Sequence, residues 1–252
     1  MVAPPDNAPP DNDVLWARSL QYSHDRSPAL VGVSVGVRQG EILALTGPRG
    51  CGKTTLLRCL SGQLRPQEGE VWFNSVPVHT MGALARERLR RDRFGWIGPE
   101  PQLLPELKVW ENAALPLLLA GAPHRAAKNA ACEWLDRLDI GGFARKRPGA
   151  LTRAESQRVA LARALVNEPA VIFADDPTAP LHRAERALLL RTLTTAARSH
   201  EITVLLATHD EATAAVADRR LALLDGRLAG TAAAASPLPD TPEGQAACSL
   251  SA

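Results

Sequence analysis

The chain is 252 residues long, with 45% hydrophobic and 22% charged residues, so neither a disordered chain nor an integral membrane protein is indicated, and one large domain or two small ones fit the length. A net charge of +2 and an aromatic share of 4% leave little positive field and few rings for stacking bases, which argues against a dedicated nucleic-acid binder. The longest apolar stretch, residues 113–122, contains Pro116 and falls short of the roughly 20 residues that span a bilayer, so no direct membrane insertion is expected and any membrane role runs through a partner.

In chain order, residues 1–13 are rich in Pro, Asp and Asn and predict a disordered segment. They lack a basic region followed by an apolar core, so they do not read as a secretory signal, and a cytoplasmic location is expected. The folded body is placed at residues 14–228. Short β-type runs at 30–37 and 70–73 alternate with Gly and Pro. Residues 42–45 form an apolar strand that leads through a glycine-rich turn into a helix over 54–60. Arg86, Arg88, Arg90, Arg91 and Arg93 are interleaved with Glu87 and Asp92, the pattern of a solvated helix face.

Residues 98–165 are mainly helical in pattern, with Ala and Leu at helical spacing over 109–119 and 126–138. Apolar strands at 171–174 and 202–207 flank a helical pattern at 184–197, which implies a parallel α/β sheet whose strands end at polar residues. Residues 229–252 are a low-complexity mix of Ala, Pro, Gly and Ser and are expected to be disordered. Cys51, Cys59, Cys132 and Cys248 show neither metal-ligand nor disulfide spacing and read as free thiols.

The chemistry concentrates after the first apolar strand. Gly47, Pro48, Arg49, Gly50, Cys51, Gly52, Lys53 and Thr54 satisfy the GxxxxGK[ST] pattern between a strand and a helix. Glycines let successive backbone N–H groups converge on phosphate oxygens, and the helix N-terminus adds partial positive charge. Lys53 is assigned to the β and γ phosphates, Thr54 to Mg²⁺, and Thr55 completes the nucleotide-binding set. The run 171–174 delivers Asp175 and Asp176, one carboxylate for Mg²⁺ and one for an attacking water.

With these residues in hand, the sequence resembles the ABC ATPase family over residues 14–228. The resemblance is carried by Gln157, Arg158 and the helix to Leu165, by Ala174, Asp175, Asp176, Pro177 and Thr178, and by Leu205 through Asp210. Leu103, Leu104 and Pro105, then Glu111, Asn112 and Ala113, add to it, and the run 115–121 is similar to the lipoprotein-release and macrolide-export branch. The resemblance implies an α/β fold of ABC type: a mixed sheet core, an antiparallel β subdomain and a helical subdomain at about 98–165. It implies ATP and Mg²⁺ as ligands, Tyr22 stacking on adenine, His209 at the γ phosphate, and Lys53, Asp176 and His209 as the catalytic set. Thr208 and Glu211 have capping-box spacing.

Several residues depart from the family pattern. Pro99 falls where a glutamine belongs, with Glu100 beside it and Gln102 displaced. Leu151, Thr152, Arg153, Ala154 and Glu155 replace the signature, Asp176 replaces a glutamate, and His182 replaces an aspartate. The resemblance therefore implies a slowly hydrolysing ATP-binding subunit of an ABC transporter, peripheral on the inner face of the plasma membrane. It would serve an integral membrane permease, in the export direction, as a homodimer or as a heterodimer with a second ABC ATPase. The other reading is an ATP-binding regulatory switch with little or no hydrolysis or transport. An ABC-type DNA-maintenance ATPase would need a coiled-coil insertion, and no such segment is present.

Overall fold

The computed structural model describes residues 13–25 and 27–233. The expectations for residues 1–12 and for the chain beyond Ala233, Cys248 included, lie outside the described residues. The strands are β1 (Asp13–His24), β2 (Ser27–Arg38), β3 (Ile42–Thr46), β4 (Glu68–Phe73), β5 (Val76–Pro77), β6 (Phe94–Ile97), β7 (Val171–Asp175), β8 (Thr203–Ala207), β9 (Arg219–Leu224) and β10 (Arg227–Ala233). The helices are α1 (Lys53–Leu60), α2 (Ala83–Arg93), α3 (Val109–Leu119), α4 (His124–Arg137), α5 (Arg153–Leu165), α6 (Arg183–Ser199) and α7 (Glu211–Ala214). Ordered strand thus begins at Asp13 and runs past the expected boundary at Leu228, because the Ala- and Gly-rich residues there pair with β9.

The six-stranded sheet has the order β10-β9-β3-β8-β7-β6, parallel except for the β9/β10 pair. A separate four-stranded antiparallel sheet has the order β2-β1-β4-β5. The central strands bury both faces, which is why they read as continuous apolar runs. Ile42, Ala44, Ile172, Ala174, Val204 and Leu206 point into one core with α3, α4, α5 and α6. Their neighbours Leu43, Leu45, Val171, Phe173, Leu205 and Ala207 point into the other, with α1 and the antiparallel sheet. Parallel pairing of β3 and β7 with β8 places the carboxyl ends of all three together at one edge.

The solvated face expected for the arginine run is observed: α2 buries no residue. Its C-terminus feeds directly into β6, a strand that composition did not announce. Cys51 and Cys59 are buried and Cys132 is half-buried, all three as free thiols. Burial pushes the Cys59 thiol up to about 12, so it stays protonated at neutral pH.

Candidate functional site: a phosphate-binding loop with a carboxylate beneath it

The loop between β3 and α1 is built around glycines that cannot be replaced in place. Gly47 (φ 143°) would set a Cβ 2.1 Å from the carbonyl oxygen of Leu223, and Gly52 (φ 106°) would set one 2.3 Å from that of Ala29. Both positions lie in the left-handed region that side chains disfavour. The loop is closed from outside by the β9–β10 turn: Gly226 N–H donates to the Cys51 carbonyl at 3.1 Å, and Val31 N–H donates to the Gly226 carbonyl at 2.8 Å.

Lys53 is buried, and its ammonium donates to the carbonyls of Gly47 (2.8 Å) and Pro48 (2.9 Å), with Cys51 Sγ at 3.6 Å. A fixed positive charge thus sits inside the loop. One residue on, Thr54 Oγ1 donates to Asp175 Oδ1 at 2.9 Å, joining the start of α1 to the end of β7. Burial lifts the Asp175 carboxyl above its usual range, the Thr54 hydrogen bond works against that rise, and the Asp176 charge adds to it. A hydroxyl and a buried carboxylate this close offer two hard oxygens to a divalent cation that keeps other ligands from phosphate and water.

Asp176 follows in the left-handed region (φ 41°), which Asp tolerates better than most side chains. Its N–H donates to the Ala207 carbonyl at 2.8 Å, which ties it to β8. His209 Nδ1 lies 3.1 and 3.2 Å from the two Asp176 carboxylate oxygens. The capping-box spacing of Thr208 and Glu211 is not used. The α7 cap is Asp210, whose Oδ2 accepts from Thr213 N–H (2.8 Å), while Thr208 Oγ1 accepts from Asp210 N–H (3.1 Å). The shorter carboxylate sits one residue before the helix and reaches its first turn directly. The hydrogen bond from the Thr213 hydroxyl holds the Asp210 carboxyl below its usual range.

A cavity of about 450 Å³ opens over the loop, lined among others by Arg49, Gly50, Gly52, Lys53, Thr54, Thr55 and Asp176. Tyr22 is not on it: the ring packs against the core beneath β1 and meets His24 edge-on, centroids 4.9 Å apart. His24 lines the cavity instead, its Nε2 3.1 Å from Thr55 Oγ1. The two residues are one pleat repeat apart, and only the last residue of β1 overhangs the loop. The end position of the strand is the one sequence signal for the place of His24 on the cavity wall.

Of the departing residues, Asp176 lines the cavity over the loop, whereas Pro99, Arg153, Ala154, Glu155 and His182 do not. Pro99 and Glu100 are exposed between β6 and α3. Glu155 is turned back on its own helix: its Oε2 accepts from Thr152 N–H (2.7 Å) and Thr152 Oγ1 accepts from Glu155 N–H (3.2 Å), a reciprocal cap for α5. Ala154 is buried and Arg153 exposed. His182 precedes α6, and Glu185 Oε2 accepts its N–H at 3.2 Å.

A doubly wound sheet whose strand ends carry a glycine loop, a buried lysine and a paired carboxylate defines the class of P-loop nucleotide-binding cassettes. A model described as "ABC transporter" matches residues 30–179. An uncharacterized ABC transporter ATP-binding protein of Mycobacterium tuberculosis is 38% identical over 78% of this chain, which spans 59% of that relative's length. The lipoprotein-releasing system ATP-binding protein LolD of Paramagnetospirillum magneticum is 37% identical over 84% of this chain and 93% of its own. The dimeric post-hydrolysis structure of the ATP-binding cassette MJ0796 with ADP and phosphate superposes with a TM-score of 0.82 at 28% identity, covering 88% of this chain and 99% of that one. The chain belongs to the ABC transporter family. Among the described residues, no helix is long and apolar enough to cross a membrane.

Proposed function

We propose that this chain binds Mg-ATP through residues 47–55, hydrolyses it slowly, and drives a separate membrane permease in the export direction. The observation that carries the reading is the Thr54–Asp175 pair directly under the lysine-bearing loop. Lys53 would exchange two backbone carbonyls for phosphate oxygens, and Thr54 with Asp175 would hold Mg²⁺, which neutralises phosphate charge when bound. His24 would cover the adenine edge of the cavity, a flat ring in the place assigned from sequence to Tyr22. Asp176, steadied by His209, would accept the proton of the attacking water.

Asp176 is one methylene shorter than glutamate, which shifts a water contact by more than catalysis tolerates cheaply. Glu155 is committed to a helix cap, and Pro99 has no side-chain donor or acceptor. The export direction is supported by the likeness to the lipoprotein-releasing LolD. Assembly as a dimer, with itself or with a second ABC ATPase, is supported by the dimeric cassette MJ0796. The chain would then sit on the inner face of the membrane, held there by the permease.

ATP binding and steady-state hydrolysis would be measured on the purified chain, alone and with its co-expressed permease, with Lys53→Ala as control. Permease-stimulated turnover that vanishes in Lys53→Ala establishes a working motor. Tight binding with negligible turnover in both settings replaces that reading with a nucleotide-operated switch.

A further inference from the structure

We propose that Gln157 is a positioning residue that ties the loop 98–107 to the segment carrying Asp175 and Asp176, so that nucleotide bound at one is felt at the other. The inference rests on the nucleotide-binding reading above. Gln157 lies in α5, is fully buried, and touches neither the phosphate loop nor the cavity above it. Its Nε2 donates to the Gly98 carbonyl at 2.7 Å and to the Pro177 carbonyl at 2.9 Å. Both amide hydrogens are therefore spent, one on the residue that follows β6 and one on the residue that follows Asp176. Turning the amide over would set its oxygen against two carbonyl oxygens, so this orientation is the only one the site accepts.

The other end of the amide is anomalous. Gln157 Oε1 is buried and has no hydrogen-bond partner. A buried acceptor without a protein donor costs free energy. The segments around it differ in how firmly they are held. Arg163, also on α5, donates to the carbonyls of Pro101 (2.7 Å) and Gln102 (3.0 Å), and Asn112 Oδ1 accepts from Leu104 N–H at 2.7 Å. These contacts hold the loop at its middle. At its start, the Gly98 carbonyl is held by the same Gln157 amide whose second hydrogen goes to Pro177.

On the other side, Asp176 is held to β8 by one backbone hydrogen bond and to His209 by its side chain. A shift of Asp176 and His209 toward a bound phosphate would move the Pro177 carbonyl with them. The Gln157 amide would follow, releasing or drawing in Gly98 and bringing Oε1 within reach of a new donor. A single amide that gives one hydrogen to each of two segments makes their positions interdependent, which a purely apolar contact would not.

Hydrogen–deuterium exchange on the full chain tests this, with and without Mg²⁺ and the non-hydrolysed analogue AMP-PNP, alongside a titration of analogue affinity. In the wild type, amide exchange across residues 98–107 should change by about threefold or more on addition of the analogue. In Gln157→Met, a substitution of similar volume without hydrogen bonds, that difference should vanish while affinity stays within about threefold. A merely structural staple would raise exchange equally in both states and leave the nucleotide-dependent ratio intact, which overturns the proposal. The wild-type arm needs no variant: if AMP-PNP binds and the loop does not respond, the proposal fails even should Gln157→Met not fold. If AMP-PNP does not bind the wild type at all, the nucleotide-binding reading itself falls, and this inference with it.

Discussion

The phosphate loop and the layer formed by Pro99, residues 151–155 and His182 belong to one fold but are held in place by different means. In the loop, backbone shape is set by steric limits: a Cβ at Gly47 or Gly52 would run into a carbonyl oxygen, and Lys53 and Thr54 each have fixed polar partners. In the outer layer, the charged side chains mostly satisfy their own helix ends, as Glu155 does for α5 and Glu185 does at His182. A cap needs only an acceptor at the right offset. The outer layer can therefore change its chemistry while keeping its geometry, whereas the loop cannot change residue type without changing shape.

The largest effect should come from the loop. Gly52→Ala should weaken ATP binding by about a hundredfold or more, since its Cβ meets backbone that cannot move aside; affinity within a few-fold of wild type would show that the loop tolerates a side chain there. Next, Asp176→Asn should lower turnover by about 10²–10⁴-fold with nucleotide affinity little changed, the size expected for loss of a general base. At the cavity mouth, His24→Ala should weaken ATP binding by about threefold to tenfold, or ~1 kcal/mol. Tyr22→Ala should lower the unfolding midpoint and leave affinity nearly intact. The reverse pattern would favour Tyr22 as the stacking ring.

In the outer layer, Glu155→Ala should cost only about 0.5–1 kcal/mol in denaturant unfolding, the worth of a helix cap. The smallest effect concerns pH. Burial holds the Asp175 pKa above its unfolded value, so the penalty for its ionisation is present above the folded-state pKa and fades as pH falls to the ordinary carboxylate range. Asp175→Asn should therefore raise the thermal midpoint of the nucleotide-free protein slightly at pH 7, with the gain shrinking toward about pH 4. It should also abolish stabilisation by Mg-ATP. A loss of midpoint at pH 7 would show instead that the Thr54 hydrogen bond outweighs burial.

The parts of the molecule that sequence made visible are those where a single residue type is compulsory. The phosphate loop, the Asp175–Asp176 step and the buried strands β3, β7 and β8 follow from glycine sterics and from uninterrupted apolar runs. Strand β6 was hidden because Gly95 and the preceding arginines mask a run of only four residues, and only its pairing with β7 makes it a strand. Strand β10 was hidden because its Ala-rich composition carries no side-chain pattern, and backbone pairing with β9 supplies the order. The place of His24 on the cavity wall and the Asp210 cap were hidden for a related reason. Each depends on which of two nearby side chains reaches a neighbour from elsewhere in the chain, and spacing alone does not decide between them.

The turn that joins β9 to β10 has a reach beyond its own hairpin. Asp225 and Gly226 both carry positive φ (45° and 72°), the pairing an Asp-Gly hairpin turn requires, and the Gly226 amide closes onto the phosphate loop at Cys51. Together with Leu223 and Ala29, this turn clamps the loop between two sheets, so its shape is a boundary condition imposed by strands distant in sequence. A cradle fixed in advance loses little conformational entropy when a ligand arrives. Nucleotide affinity in this chain is accordingly a property of hairpin registry as much as of the loop's own eight residues.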